Sequence, residues 1–482
     1  MDRWTAVEDG GDPDEEHGDS GHDDPDHGEG GHGDGGHGKG GHGHSSRISD
    51  EYIPLQKLPE RPAPPIELGE PFLGTGTLDP GFRLPTGAVW QPSLLLFGNF
   101  RSAVQSFEPD TASGGRITEW TNRLDLFFNL QLSGTERLVL GLRALDQDGR
   151  FTGYFLEHPD PNLDGDFRDE LNVDIGSLYF EGDFGEIFPD LDRDDFASYD
   201  LGFSVGRQPL IFQEGLLIND TIDGVGITRN TLLPKNAPNF RSTLFFGWGD
   251  LNTSAFDERD AQLFALLTST DFKPSTVDVD IAWLDANDGS GDLLAAGVSA
   301  VQRLGETNSS FFLLGSRASG DETDVTTDGL LLFAELGWTP KRTHDYLYLT
   351  SFAAFDEYTP AARGVGPAGG GPLGRAGINF ASPNLGSYAA PLSSRARDVV
   401  GGAVGYQRFY DHTRKQLLLE VGGRVGTAGD VGDGASFTAR YQAAFGQHFV
   451  FIVDGFAGYR EGLAGIDDLY PYGGRVEILA KF

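Results

Sequence analysis

The residues with the widest chemical reach stand near the start of the chain. His17, His22, His27, His32, His37 and His42 recur at every fifth position among Gly and Asp, and His44 closes the run. Imidazole binds zinc, nickel and copper, and glycine between the rings would let several of them reach one ion. The competing reading is a disordered tail with incidental histidines, because the segment has no apolar surface to bury. Further along, Asp160, Asn162, Asp164, Gly165 and Asp166 match the opening of a calcium-binding loop. Its twelfth position is Leu171, where a bidentate Glu is needed, so Asp169 or Glu170 would have to substitute; a solvated acidic loop explains the same residues. Outside the tail only His158, His344, His412 and His448 remain, each alone in the sequence. No Ser-His-Asp arrangement can be drawn from them, and the chain is not read as an enzyme.

Composition narrows the setting. The 482 residues include no cysteine, which removes thiolate nucleophiles, zinc-thiolate sites and disulfides together. A net charge of -37 argues against nucleic-acid phosphates as partners. No stretch approaches the roughly 20 consecutive apolar residues of a membrane-spanning helix. With Gly 69 and Phe 35 in a chain that is 23% charged, many strands joined by turns fit better than helices, which glycine weakens. Met1 is followed by Asp2-Arg3-Trp4 and an acidic run rather than by the basic and apolar regions of a signal peptide, so for an exported chain the numbering is expected to begin after the signal or at a misassigned start.

The elements that must position any site divide the chain in three. Residues 1–46 are the His/Gly/Asp-rich tail. Residues 47–88 carry Pro54, Pro59, Pro62, Pro64, Pro65, Pro71, Pro80 and Pro85, which favour extended chain and read as a periplasmic linker or plug. From residue 89 to 482 one unit of 8 to 16 residues repeats, alternating apolar with polar or small side chains and breaking at Gly, Asp, Asn or Pro. That is the period of a strand with two different faces. Trp120, Leu124, Leu126, Phe128, Leu130 and Leu132 share one face, while Arg123, Asp125, Asn129 and Gln131 share the other. Val277, Val279, Ile281 and Trp283 oppose Asp278 and Asp280 in the same way.

Eighteen such units can be counted, and an even number closes with both ends on one side. The connections alternate in length: Ser133-Gly134-Thr135, Lys273-Pro274-Ser275 and Gly446-Gln447 are short, while residues 149–170, 285–292, 318–327, 357–397 and 427–434 are longer, acidic or Gly-rich. Short periplasmic turns and long external loops are the habit of outer-membrane barrels. Residues 186–200 are long on the short side, which leaves room for a miscounted strand. Aromatic residues at strand ends add modest support. The expected fold is therefore all-β: a transmembrane antiparallel β-barrel of about eighteen strands with a disordered N-terminal tail, in a bacterial outer membrane.

The last unit places Tyr472, Val476, Ile478, Ala480 and Phe482 on one face, and Arg475, Glu477 and Lys481 on the other. It resembles the closing-strand signal of bacterial outer-membrane proteins, whose terminal aromatic is read by the barrel assembly machinery. Phe203-Ser204-Val205-Gly206-Arg207-Gln208-Pro209-Leu210, followed by Asp223-Gly224-Val225, resembles the alginate-export family of barrels over about thirty residues. Pro209 stands where that family has an acidic residue. The resemblance implies a diffusion pore or polymer exporter with no catalytic residue.

Alternation assigns a lumen lining. Its cations are Arg101, Arg123, Arg143, Arg424, Arg440, Arg460 and Arg475. Its acids are Asp125, Asp278, Asp280, Glu335, Glu420, Asp454 and Glu477. In an aqueous interior, arginines ordered by acids would offer bidentate bonds to carboxylates, so anionic or sugar-like solutes or a polysaccharide are the expected cargo; bracing of the wall is the bland alternative. The loop from Tyr358 to Ala396 is expected to fold over or into the mouth, its Gly and Pro making it mobile. Lipid and lipopolysaccharide are the expected surroundings. A metal-associated channel using the tail, and a sleeve around a partner protein, stay open. Titrating the excised peptide 1–46 with zinc tests the first chemistry: heat release and shifted imidazole resonances are expected, and the absence of both removes metal binding.

Overall fold

In the computed structural model, the described residues are 64–69, 80–108, 115–147, 149–191, 201–235, 237–253, 256–287, 289, 291–320, 323, 325–364, 370–463 and 467–482. The histidine tail, His17 to His44, lies outside them. Among the described residues eighteen long strands form one closed antiparallel barrel. They are β1 Ser93–Phe107, β2 Ile117–Gln131, β3 Arg137–Arg143, β4 Asp174–Asp183, β5 Gly202–Phe212 and β6 Ile218–Leu232. Then come β7 Asn239–Gly249, β8 Ala261–Asp271, β9 Ser275–Ala286, β10 Asp292–Leu304, β11 Thr307–Ser319 and β12 Gly329–Trp338. The last six are β13 Tyr346–Glu357, β14 Arg397–Tyr410, β15 Lys415–Gly426, β16 Gly434–Phe445, β17 Phe449–Arg460 and β18 Tyr472–Lys481. Each pairs with its sequence neighbours, and β18 pairs with β1 from Gly473↔Phe107 to Lys481↔Asn99.

The eighteen strands are the eighteen units read from alternation. The long connection after β4 hides no further strand among the described residues; it opens with a single helical turn, Phe184–Ile187, capped by the Asp183 carboxylate on the Gly185 amide. The doubt over the count therefore falls away.

The faces divide as the alternation requires. On β9, Val279 and Ile281 are 43% and 46% exposed on the outside, while Asp280 between them is 2% exposed on the inside. Val421 against Glu420 on β15 and Val476 against Glu477 on β18 repeat the contrast. Leaving such side chains in water forfeits roughly 1.5–3 kcal/mol each, so this outer surface is built for hydrocarbon. Trp120, Trp248 and Tyr472 ring it at the long-loop end, and Tyr406, Phe445 and Phe449 at the short-turn end, where amphipathic rings favour the lipid–water boundary.

At the seam the Phe482 amide and carbonyl exchange hydrogen bonds with Gly98 at 3.1 and 2.8 Å, and its ring lies over the bare Gly98 backbone. Below that point β1 has outrun β18, and Ile66–Leu68 takes up the edge by pairing with Leu94–Leu96. Part of the Pro-rich segment expected as a linker or plug thus extends the sheet. It also forms a small hairpin, Phe82–Arg83 with Val89–Trp90.

The interior is not evenly wet. The inner faces of β6 to β14 carry a continuous apolar cluster that includes Leu263, Leu284, Leu293, Leu314, Leu331 and Val399. It packs against two inturned segments: Gln213–Leu217 between β5 and β6, and the connection 358–396 between β13 and β14. Phe482→Ala should reduce the folded fraction several-fold without altering secretion of the chain, read from heat-modifiable migration of membrane extracts. Equal folding would show that the terminal ring does not help to close the seam.

Candidate functional site

The connection between β13 and β14, in its described residues 358–364 and 370–396, enters the barrel and crosses its lumen. From the end of β13 the Tyr358 hydroxyl donates to the Leu216 carbonyl at 3.0 Å, and Ala362–Arg363 adds a short parallel strand beside Ile218–Asn219. Arg363 donates to the Gly215 and Gly370 carbonyls at 2.8 and 2.7 Å; burial pulls its guanidinium down to about 10, still charged at neutral pH. The turn Pro372–Ala376 presents Arg375 to Glu335 of β12 at 2.8 Å and to Glu214 at 3.3 Å. Asn379 then reaches Glu420 of β15, and Ser387 donates its amide to Glu119 of β2 at 2.6 Å. The return limb accepts bonds from Arg460 of β17 at Pro391 and from Arg424 of β15 at Ser393, both 2.6 Å.

Sequence explains this path locally. Gly386 has φ +62, which favours glycine, and a Cβ there would lie 2.4 Å from Gln105 Nε2 and 2.6 Å from Glu119 Oε1. Burial pushes the Tyr388 hydroxyl up, reinforced by the Asp454 charge, and its ring sits between Phe107 and Phe456. The loop expected to be mobile is therefore tied to the wall at many points, because the polar inner faces of β1, β2 and β15 to β17 supply partners for its backbone.

Above it, at the long-loop end, lies a cavity of about 640 Å³ whose charged lining is Arg363, Arg375, Arg460 and Glu214. A second cleft of about 260 Å³ adjoins it, with Arg395, Arg397 and Arg424 facing Asp430, Asp433 and Glu461. Three arginines to one acid in the larger cavity is the reverse of the chain's overall balance.

The lumen residues read from alternation point inward, but most do not meet open water. Arg440, Asp454 and Arg475 stand in register on β16, β17 and β18. Asp454 holds Arg440 at 3.3 Å and Arg475 at 2.6 Å; Glu477 holds Arg475 and, across the seam, Arg101, both at 2.6 Å. Asp454, Arg475 and Glu477 are buried and brace the wall. The side chains of Arg101 and Arg440, 19% and 20% exposed, and that of Arg123, paired with Asp125 at 3.0 Å, reach the lumen. Arg143 is exposed at the end of β3. Asp280 is enclosed, accepting from Gln213 at 2.8 Å, with Asp278 one inward step along β9. Of the lining read from alternation, Asp280, Glu335, Glu420 and Arg424 lie under the inturned segments, and Asp454, Arg475 and Glu477 take the bracing role that the sequence left open. Sequence reading also missed Gln105, Glu119, Arg363, Arg375 and Asn379; the last three are loop residues with no period, whereas Gln105 and Glu119 could have been placed by their spacing from Arg101 and Arg123.

The short motif is split between faces. Gly206, Gln208 and Gly224 face inward, whereas Arg207 and Asp223 pair on the outer face at 3.0 Å, with Asp250 at 3.2 Å from the same guanidinium. Gly206, at φ +120, lies against the Leu178 carbonyl, so its glycine is a demand of the sheet. Asp160, Asp164 and Asp166 turn their carboxylates onto the backbone amides of Asn162, His158 and Phe167, and Asn162 Nδ2 also bonds Asp160. Among the described residues no three His, Asp or Glu side chains converge as metal ligands.

No family model matches the sequence, and no curated protein matches it. Solved structures do. A BenF-like porin from Pseudomonas fluorescens Pf-5 is similar at 9% identity and TM-score 0.54, over 81% of this chain and 98% of its own. Pseudomonas aeruginosa OccK2 (OpdF) in complex with glucuronate is similar at 9% identity and TM-score 0.53, over 80% and 98%. The outer membrane protein OpdK of Pseudomonas aeruginosa, also solved with vanillate, is similar at 11% identity and TM-score 0.51, over 80% and 98%. The fold is that of the outer-membrane porins. At these identities the likeness carries the fold alone, and the resemblance to the alginate-export family is not supported.

Arg475→Ala would leave two buried carboxylates with one guanidinium each and should cost about 3 kcal/mol or more, measured as a lowered urea midpoint in detergent micelles. An unchanged midpoint would mean that the ladder does not brace the wall.

Proposed function

We propose that this chain is a channel of a bacterial outer membrane that passes small hydrophilic, anionic or sugar-like solutes by diffusion. The observation that carries the reading is the barrel narrowed by its own inturned loop, with a cavity rich in arginine at the entrance. A narrowed lumen suits monomer-sized solutes better than a polymer. Guanidinium groups offer paired donors to carboxylates, and in a partly dry vestibule their field is less screened than in bulk water. Glucuronate and vanillate, bound in two of the similar porins, are carboxylates, which agrees with this choice. The reading needs no catalytic residue.

Its surroundings follow from the same geometry. The apolar wall and the two aromatic girdles would face lipid and, on the long-loop side, lipopolysaccharide. The strand ending at Phe482 would be the element offered to the assembly machinery. A second reading concerns the tail, whose recurring histidines would offer imidazole ligands to zinc, nickel or copper.

Reversal potentials of the full chain in planar bilayers under a salt gradient test the channel. Anion preference is expected, falling several-fold in Arg363→Gln/Arg375→Gln. Cation preference in the unsubstituted protein would overturn the solute class, and absence of any conductance from well-folded barrels would overturn the channel.

A further inference from the structure

Of all the contacts between loop and wall, one has an unusual electrostatic design. Glu420, on the inner face of β15, is 1% exposed, and among the described residues none of its partners is a cation. Its carboxylate accepts the Ile378 amide at 3.0 Å, the Asn379 amide at 2.7 Å and Asn379 Nδ2 at 2.8 Å, all from the inturned loop, and the Tyr348 hydroxyl from β13. Thr438 of β16 closes the arrangement by donating to Asn379 Oδ1 at 2.6 Å. Two glycines make room for it. A Cβ on Gly377 would fall 2.4 Å from the carboxylate, and one on Gly422 would lie 3.0 Å from Asn379 Cβ.

We infer that Glu420 is the positioning residue of the constriction: a buried carboxylate whose charge is satisfied chiefly by loop donors, so that it latches the middle of the 358–396 segment to the wall and sets the width of the passage. The inference rests on the channel reading above. Its physical basis is an asymmetry. With the loop docked, a lone carboxylate holds three charge-assisted bonds from the loop in a dry setting; with the loop withdrawn, lumen water solvates it. Substituting it removes three of the bonds that hold Ile378 and Asn379, leaving Asn379 only the Thr438 hydroxyl and the Glu420 main-chain carbonyl on the wall, while the barrel ladder, made by other atoms, stays closed. The other attachments flank this point, Arg363 and Arg375 on the entering limb and Gln105, Glu119, Arg424 and Arg460 toward the return limb, so the stretch around Asn379 is the part released.

Glu420→Ala and Asn379→Ala, each in the full chain reconstituted into planar bilayers, test the latch. Both should give channels of roughly two-fold or higher conductance with frequent stepwise fluctuations, and faster liposome swelling with larger uncharged sugars, because a constriction dominates pore resistance. Glu420→Asp, which keeps the carboxylate, should lie between them and the unsubstituted protein. Heat-modifiable migration must be that of the folded barrel in every variant; if Glu420→Ala does not assemble, Asn379→Ala carries the test. Because the chain lacks cysteine, Asn379→Cys/Thr438→Cys placed in the Glu420→Ala background adds a reversible fastening. Oxidation should restore the smaller conductance, and reduction should remove it. Folded Glu420→Ala and Asn379→Ala channels with unchanged conductance and sugar cut-off would overturn the latch while leaving the channel intact. Silence of the unsubstituted protein would instead overturn the channel reading itself.

Discussion

In hydrocarbon a backbone amide has no water to turn to, and each unpaired group there costs several kcal/mol. For a chain whose described residues hold no helix long and apolar enough to cross a membrane, the one arrangement of strands that leaves no edge is a closed ring, and this ring depends on the ladder between β18 and β1. The two strands are the furthest apart in sequence of any neighbouring pair, so the entropy of bringing them together is met last. The chain spends several devices on that seam: nine registered residue pairs, a terminal phenylalanine seated on a glycine, an arginine–glutamate bridge from Arg101 to Glu477, and a short N-terminal strand beyond the C-terminus.

Closure dictates the inside as well. Once alternate side chains are apolar and face lipid, most polar residues of the strands are turned onto a lumen whose walls are low in dielectric, where unpaired charge is costly. The interior meets this in two ways. On one side, from β6 to β14, the inward positions are themselves apolar and pack against inturned chain as a soluble core would. On the other, arginines and acids meet across adjacent strands, and Asp454 and Glu477 are each shared between two guanidinium groups. The inturned loop lies between these halves and uses both, with leucines and alanines toward the core and backbone carbonyls toward the arginines.

What sequence could reveal follows from which of these features is periodic. Strand number, the two faces and the inward aim of Asp454 or Arg475 are all consequences of a two-residue repeat, and they were legible. Which inward residues stay wet was not, because it depends on where residues 358–396 go, and loop contacts such as Asn379 with Glu420 or Ser387 with Glu119 join positions with no local pattern. Composition even misled: glycine and proline suggested a loose segment, whereas at Gly386 and Gly377 the missing side chain is what allows the backbone to approach the wall. The Gly206-Arg207-Gln208 resemblance failed for a related reason. Gly206 answers to the sheet and Arg207 to the outer rim, so the similarity reported strand geometry rather than kinship of function.

The division of labour inside the barrel bears on how the passage could vary without loss of the fold. Residues that brace the ring, such as Arg475 and Glu477, are buried, bonded to one another and tied across strands to Asp454 and Arg101, so a change in one is felt by the whole seam. Residues that hold the loop, such as Glu420 and Gln105, spend their side chains on a segment that the barrel does not need for closure. The width of the passage and the integrity of the wall are therefore set by different atoms. A chain of this design can alter what it admits by changing loop contacts while the ladder, under the stricter demand of the lipid, remains as it is.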